Sequence, residues 1–412
     1  MNTIEDRLRN AYRAATEPIR PENIPALPER ATRPERAKTR SRRARVLIPL
    51  AAAAGVVAVA AVIPAVTGVF GNTPARPRPA AAPKAPTGTA YVINSGGGTV
   101  TPIDLATNTP GKPIDVSGEP VAMAITPDGK TAYVATGATT GGPEPTSAQA
   151  VQPIDLVTNT AGKPIDLQWP ADAIVITPDG KTAYTINGFP SLAVTPVDLA
   201  TNTPGKPVKL SEELSAVAMA PDGKAYVTTT TVNEFMPIDL AIGKLGKPVK
   251  LSSGEGEPVA IAIAPNGKTA YVVSLPPSPS SAVITVTPID LTTDTAGNPI
   301  KVSAKPGPAG YFGQPLAIAI TPDGTTAYLA NGASSTVTPI DLATNTPGQP
   351  ISLSGKPGAD AIAISANGAA AYVANQPTST VTPIDLATNT PERPIKIGHG
   401  WDSGFEAIVT VP

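Results

Sequence analysis

From residue 88 onward the chain alternates short apolar runs with clusters of Pro, Gly, Asp, Asn and Thr. The stretch that begins at Pro315 shows the pattern clearly. Leu316–Ile320 is apolar and T-P-D-G follows it. Thr326–Ala330, carrying A-Y-L, is a second run, and Thr336–Leu342 is a third. Asn345-Thr346-Pro347-Gly348 then turns the chain, and Pro350–Leu353 is a fourth run. Runs of this length between turn residues predict β-strands that pair in sequence as a meander. Asp-Gly after a strand predicts a tight hairpin, because glycine adopts positive φ without strain. It occurs at Asp128-Gly129, Asp179-Gly180, Asp222-Gly223 and Asp323-Gly324, with Asn266-Gly267 and Asn367-Gly368 in the same role.

The pattern recurs seven times. A Pro-Ile/Val-Asp-Leu core appears at Pro102, Pro153, Pro196, Pro237, Pro288, Pro339 and Pro383, in steps of 41 to 51 residues. A unit of this length repeated this often predicts a propeller or solenoid. The array opens on a Tyr-bearing strand near Thr87, a second strand in every other unit. It ends on Phe405–Val411, which resembles the missing first strand. That last strand completes seven sets of four. The expected fold is all-β: a seven-bladed β-propeller of four-stranded antiparallel blades, with the first blade closed by the C-terminal strand. Such closure leaves only short blade edges exposed.

Two residues recur with the unit. Tyr91, Tyr133, Tyr184, Tyr226, Tyr271, Tyr328 and Tyr372 are expected between blades, each hydroxyl reaching a partner. Asp104, Asp155, Asp198, Asp239, Asp290, Asp341 and Asp385 are expected to accept hydrogen bonds from backbone or Thr groups near the third-to-fourth-strand turn. Sevenfold recurrence marks both as structural. The Pro before each Asp removes a ladder donor from a non-edge strand, which suggests a built-in bulge.

The region before the repeat differs. Residues 1–45 hold 12 basic and 6 acidic groups, ending in R-S-R-R-A-R. Ile4, Leu8, Ala11, Tyr12 and Ala15 follow helical spacing over a short segment. Val46–Phe70 carries no charge for 25 residues, long enough to span a hydrocarbon core. The positive-inside rule places 1–45 in the cytoplasm and the repeat outside. The expected organisation is therefore a cytoplasmic basic tail (1–45), one uncleaved transmembrane helix (46–70), a Pro/Ala-rich spacer (71–86) and an extracellular propeller (87–412). The propeller part carries 16 basic and 26 acidic groups, which argues against a nucleic-acid partner. Cysteine is absent and His399 is the one histidine, so disulfides, thiolate sites and His-clustered metal centres are excluded.

The A-Y-V-x-N run, as in Tyr91-Val92-Ile93-Asn94 and Tyr372-Val373-Ala374-Asn375, followed by T-V-T-P-I-D, resembles the YVTN-type β-propeller repeat. The resemblance covers about 88–412 and implies a surface-layer or lactonase-like propeller. This copy departs from the usual V-x-V-I-D pattern by placing Pro before Ile. The Ala- and Pro-rich anchored chain also resembles actinobacterial envelope proteins. Its basic tail before a single span resembles membrane-bound anti-sigma proteins, without their His/Cys zinc set.

In a four-strand meander one face carries the constant P-D-G-K and A-T-N-T-P-G turns. The other carries the long insertions, Thr136–Ala150, Ser274–Ser281 and Ser303–Gln314, together with both tryptophans. Loops on a rigid scaffold are the usual place for binding residues. The candidate binding face is therefore Trp169, Trp401, Tyr311 and Phe312, with Glu144, Asp402 and Glu406 as polar contacts. The same aromatics can equally cap the hydrophobic blades. Enzyme chemistry finds little support: no nucleophile elbow, no phosphate loop and no cysteine. An acid/base group of His399, Asp402 and Glu257 lacks a nucleophile. No cofactor is expected; a calcium ion held by central-channel carboxylates or carbonyls is the open alternative, with no motif to support it. The leading expectation is a membrane-anchored binding or scaffold module for an envelope protein or glycan. The alternatives are a lactonase-like propeller hydrolase and a transmembrane sensor whose 1–45 tail engages a cytosolic partner.

Overall fold

A computed structural model describes residues 85–137, 149–188, 191–229, 233–251, 256–275, 283–303, 316–354, 358–397 and 407–411. The Val/Ile/Ala/Tyr runs form seven antiparallel sheets. Blade 2 illustrates the order: Glu119–Ile125, Thr131–Gly137, Ala150–Asp155, then a fourth strand in two pieces, Thr160–Ala161 and Ile165–Asp166. Blades 3 to 7 begin with Ala173–Ile176, Leu214–Met219, Pro258–Ile263, Leu316–Ile320 and Ala361–Ile364. Blade 1 takes its second, third and fourth strands from Thr89–Asp115. Its first strand is Ile408–Val411 from the far end of the chain, with Tyr91 opposite Val409 and Thr89 opposite Val411. The first strands lie at the free inner edge of each sheet and touch their neighbours in turn round the ring, including Ile408–Val411 against blades 7 and 2. The fold is a closed seven-bladed propeller with four-stranded blades. The 3₁₀ turn Gln376–Thr378 is the one helical element with described bounds.

The fourth strand departs from the sequence reading. The Thr-Pro of the A-T-N-T-P-G segment is expected to turn the chain, yet it already pairs with the third strand: Asp104 faces Thr109 and Ile103 faces Pro110. Further along, Val100 faces Ile114, one residue out of step with the first pair. The bulge suggested by the repeated Pro thus sits in the strand opposite it. Pro102 uses its carbonyl to accept from Gly111 N at 2.7 Å, so its nitrogen side faces the interruption and no ladder donor is missed. A Cβ on Gly111 would lie 3.0 Å from Pro102 Cγ, so the glycine lets the proline ring tuck beneath the bulge. Six blades repeat this Gly-over-Pro contact, and blade 7 has Glu392 N bonding Pro383 O at 2.8 Å instead.

The recurring Asp sits at the turn that leads to the fourth strand. Asp104 Oδ1 accepts from Thr107 N and Thr107 Oγ1, both at 2.9 Å. These bonds hold its carboxyl below the usual range, the side-chain bond most. The Asn one residue later adopts left-handed φ, 54° at Asn108 and 53° at Asn159 and Asn202. Its side chain meets the preceding blade. Tyr91 Oη donates to Asn159 Oδ1 at 2.9 Å, Tyr133 Oη to Asn202 Oδ1 at 3.0 Å, and Tyr328 Oη to Asn389 Oδ1 at 2.9 Å. Tyr372 Oη donates to Asn108 Oδ1 at 3.1 Å and so ties blade 7 to blade 1. Burial and nearby carboxylates raise the pKa of these phenols, burial most, so they remain protonated donors.

The expected tail (1–45), membrane helix (46–70) and most of the spacer (71–86) lie outside the described residues. Among the described residues no helix is long and apolar enough to cross a membrane.

Candidate functional site

The insertion-bearing face is built where each first strand begins, beside the central axis. In blade 3 the chain leaves the fourth strand at Asp166, passes Trp169 and Pro170, and enters the first strand after Asp172. This connection is held rigidly. Asn187, at the end of the Tyr-bearing strand, points Nδ2 at Pro170 O (2.6 Å) and Trp169 O (3.3 Å). Asp172 Oδ2 accepts from Gly188 N at 2.6 Å. A Cβ on Gly188 would sit 2.7 Å from that same oxygen, so glycine allows this close approach without a shift of the carboxylate. The result is an exposed indole, Trp169 at 38% accessibility, on a backbone fixed from two sides.

Carboxylates recur where the first strands of other blades begin. Burial raises the Asp172 pKa; the Gly188 amide opposes the shift and Glu213 adds to it. Burial also raises Glu257, again with a contribution from Glu213. Glu213 of blade 4 therefore stands electrostatically between Asp172 of blade 3 and Glu257 of blade 5. Glu119 begins the first strand of blade 2. Blade 7 repeats the blade 3 arrangement: Asp360 Oδ2 accepts from Gln376 N at 2.7 Å, just after Asn375. Asp360 is 6% exposed, its Oδ1 has no partner among the described residues, and burial pushes its pKa up to about 6.

These acids do not converge. Among the described residues no three His, Asp or Glu side chains gather closely enough to hold a metal ion. Carboxylates spread round a mouth accept hydrogen bonds from several donors on an extended ligand, and an adjacent indole supplies an apolar face. That is the chemistry of a polyhydroxylated or amine-bearing ligand.

Of the candidate binding residues, Trp169 is the one among the described residues. Trp401, Asp402, Glu406 and His399, Tyr311 and Phe312, and Glu144 lie outside them, so the acid/base group of His399, Asp402 and Glu257 is represented by Glu257 alone. The seven Tyr lie within blade sheets and the seven Asp end the third strands, on the turn face, away from Trp169. Sequence reasoning gave no site role to Asp172, Asp360, Glu213, Asn187 or Asn375. A signal was present: an acidic residue precedes the apolar run at Glu119, Asp172, Glu213, Glu257, Asp360 and Glu406, and Asn recurs at Asn94, Asn187, Asn331 and Asn375.

No protein-family model matches the chain, and no curated protein matches it. Solved structures do resemble it. The hydrazine synthase of Kuenenia stuttgartiensis is 20% identical, with a TM-score of 0.60 over 77% of this chain and 99% of that one. A functionally unknown protein from Desulfotomaculum acetoxidans is 17% identical, with a TM-score of 0.61 over 79% and 99%. The periplasmic gluconolactonase of Pseudomonas aeruginosa is 17% identical, with a TM-score of 0.58 over 79% and 99%. Likeness at this identity establishes the propeller fold.

Proposed function

We propose that this protein is a membrane-anchored, extracytoplasmic binding module whose insertion-bearing face holds a cell-envelope glycan. The observation that carries this reading is the fixed Trp169 platform. An exposed indole sits on a backbone gripped by Asn187, beside a carboxylate that its neighbours keep poorly solvated. Exposed aromatics on a rigid scaffold act as binding anchors, and surrounding carboxylates fix orientation through hydroxyl or amine donors. The uncharged stretch 46–70 after a basic block supplies the anchor in this reading. The acidic balance of the propeller disfavours nucleic acid.

The test is binding of soluble peptidoglycan and arabinogalactan fragments to the full chain in lipid nanodiscs. Truncating a central aromatic anchor costs about 2 kcal/mol, roughly thirtyfold in affinity. Trp169→Ala is expected to weaken binding by more than tenfold and Asp172→Asn by less. Equal binding by wild type and Trp169→Ala would refute the reading.

A second reading is a lactonase-like hydrolase, the activity named for one of the similar propellers. Asp360, with a pKa pushed up to about 6, suits a general acid. Its weakness is the absence of a nucleophile or metal-ligand cluster beside it among the described residues. Lactone hydrolysis by the wild type that is lost in Asp360→Asn would favour it over the binding module.

A further inference from the structure

A cleft of about 480 Å³ opens on the opposite, turn-bearing face, between blades 3 and 4. Its position coincides with a break in the interblade pattern. In every other blade the turn after P-I/V-D-L carries Asn or Asp at the left-handed position. In blade 4 the turn reads A-I-G-K-L, with Gly243 at that position at φ 66°. A Cβ there would lie 2.8 Å from Val208 Cγ1 and 2.9 Å from Lys209 O, so the turn has settled against the outer strand of blade 3. No side chain is left to meet Tyr184.

The consequence is visible at the tyrosine. Tyr184 makes no hydrogen bond through its hydroxyl to any described residue, and it is half-buried where its six counterparts are buried. Tyr226 and Tyr271 also lack the bond, but they keep Asp294 and Asn345 at the facing position and stay buried. Tyr184 therefore presents a phenol donor to an open space. The walls of that space are apolar at Met219, Ile238, Leu240 and Leu245. Two ammonium groups, Lys224 and Lys244, line it against one carboxylate, Asp239. Lys224 is already 3.2 Å from Asp222, and Asp239 accepts from Ala241 N at 3.0 Å. Lys244 has no ion pair among the described residues.

We infer that this cleft is a binding site for a small amphiphilic carboxylate. Its carboxylate replaces the missing Asn oxygen as acceptor for the Tyr184 hydroxyl and faces Lys244. Its apolar part lies against Met219, Leu240 and Leu245. The volume is of the size that holds a small molecule. A charged acceptor gains a charge-assisted hydrogen bond from the Tyr184 hydroxyl, which burial and then the Asp239 and Asp179 carboxylates keep protonated, and it draws on the Lys244 ammonium against the field of those two carboxylates. The site lies on the other face from Trp169 and stands independently of the glycan reading.

The experiment titrates phenylacetate, with phenylethanol as the uncharged counterpart, into the full chain in lipid nanodiscs. Saturation-transfer NMR and calorimetry provide the readout, with empty nanodiscs as the blank. Phenylacetate is expected to bind saturably, and phenylethanol at least tenfold more weakly. Tyr184→Phe is expected to weaken phenylacetate five- to tenfold, and Lys244→Glu at least tenfold. Tyr133→Phe, at a junction where the Asn partner is present, is expected to leave it unchanged, as is Trp169→Ala. Absence of saturable phenylacetate binding, equal affinity for phenylethanol, or unchanged affinity in Tyr184→Phe would each overturn the proposal.

Discussion

Deleting residues 407–412 tests how the ring is held closed. Ile408, Val409 and Val411 are 1%, 8% and 9% exposed, and Ala407 is fully buried. Each such Ile or Val contributes about 2 kcal/mol through burial, so the three together contribute about 6 kcal/mol. That is an upper figure, because the unfolded chain already covers part of this surface. The strand also supplies the antiparallel ladder to Thr89–Asn94 and the bond from Thr410 Oγ1 to Ile364 O at 2.6 Å. The latter adds about 1 kcal/mol and joins blade 1 to blade 7. Val411 packs against Gly129 of blade 2, where a Cβ would lie 3.0 Å from Val411 Cγ1. One strand thus bridges three blades. The summed loss of about 7 kcal/mol is comparable to the whole stability of an ordinary domain, about 5–15 kcal/mol. Urea unfolding of the full and shortened chains, followed by far-UV circular dichroism, measures the difference. The expected result is loss of more than half the unfolding free energy. In hydrogen exchange, protection should fall first in Thr89–Asn94. An unchanged midpoint and slope would show that the ring is not closed by this strand, and the reasoning would fail.

Three further outcomes follow from individual contacts. Tyr133→Phe should cost about 1 kcal/mol in urea unfolding because its hydroxyl bonds Asn202, whereas Tyr184→Phe should cost a few tenths at most, having no such bond to lose. Asp360 titrates near 6 when folded and near 3.8 when unfolded, so the folded state holds the proton more tightly and stability falls as pH rises from about 4 through 6. Asp360→Asn should therefore raise stability at pH 7 by roughly 3 kcal/mol, with the gain fading towards pH 4 in a pH series of thermal melts. Asn187→Ala should release Trp169, because it removes both bonds from Nδ2 to the Trp169 and Pro170 carbonyls, and glycan affinity should drop with the fold intact by circular dichroism.

The propeller was legible because its structural chemistry is periodic. Asp-Gly hairpins, the P-I-D-L core and the split first unit each constrain the fold. The terminal strand is readable as a first strand because it alternates in the same way as Ala122–Ile125. The outer strand was less legible. Thr109-Pro110 reads as a turn because Pro lacks a donor, yet the pairing uses only its carbonyl side and a one-residue bulge absorbs the rest. The recurring Tyr showed that a partner was needed, but its identity depends on a left-handed Asn in the next blade, a contact set by geometry. The candidate site was least legible. Asp172 lies outside the repeat's constant motifs, and Asn187, though it closes the A-Y-T-I-N copy of the A-Y-V-x-N run, reads there as part of the strand signature and not as a grip on a connection. Only the pairing of strand ends brings Asn187 to the Trp169 carbonyl. The Gly243 turn was the one irregular copy of a regular motif, and its significance depends on Tyr184, which faces it from another blade.

The most direct measurement is the fluorescence of Trp169 alone. In the full chain carrying Trp401→Phe, Trp169 is the one remaining indole. Titrating soluble peptidoglycan and arabinogalactan fragments should give a saturable blue shift as the exposed ring is covered, and Asp172→Asn should move the curve to higher concentration. Binding by calorimetry with Trp169 emission unchanged, or no binding of any envelope glycan, would contradict the account.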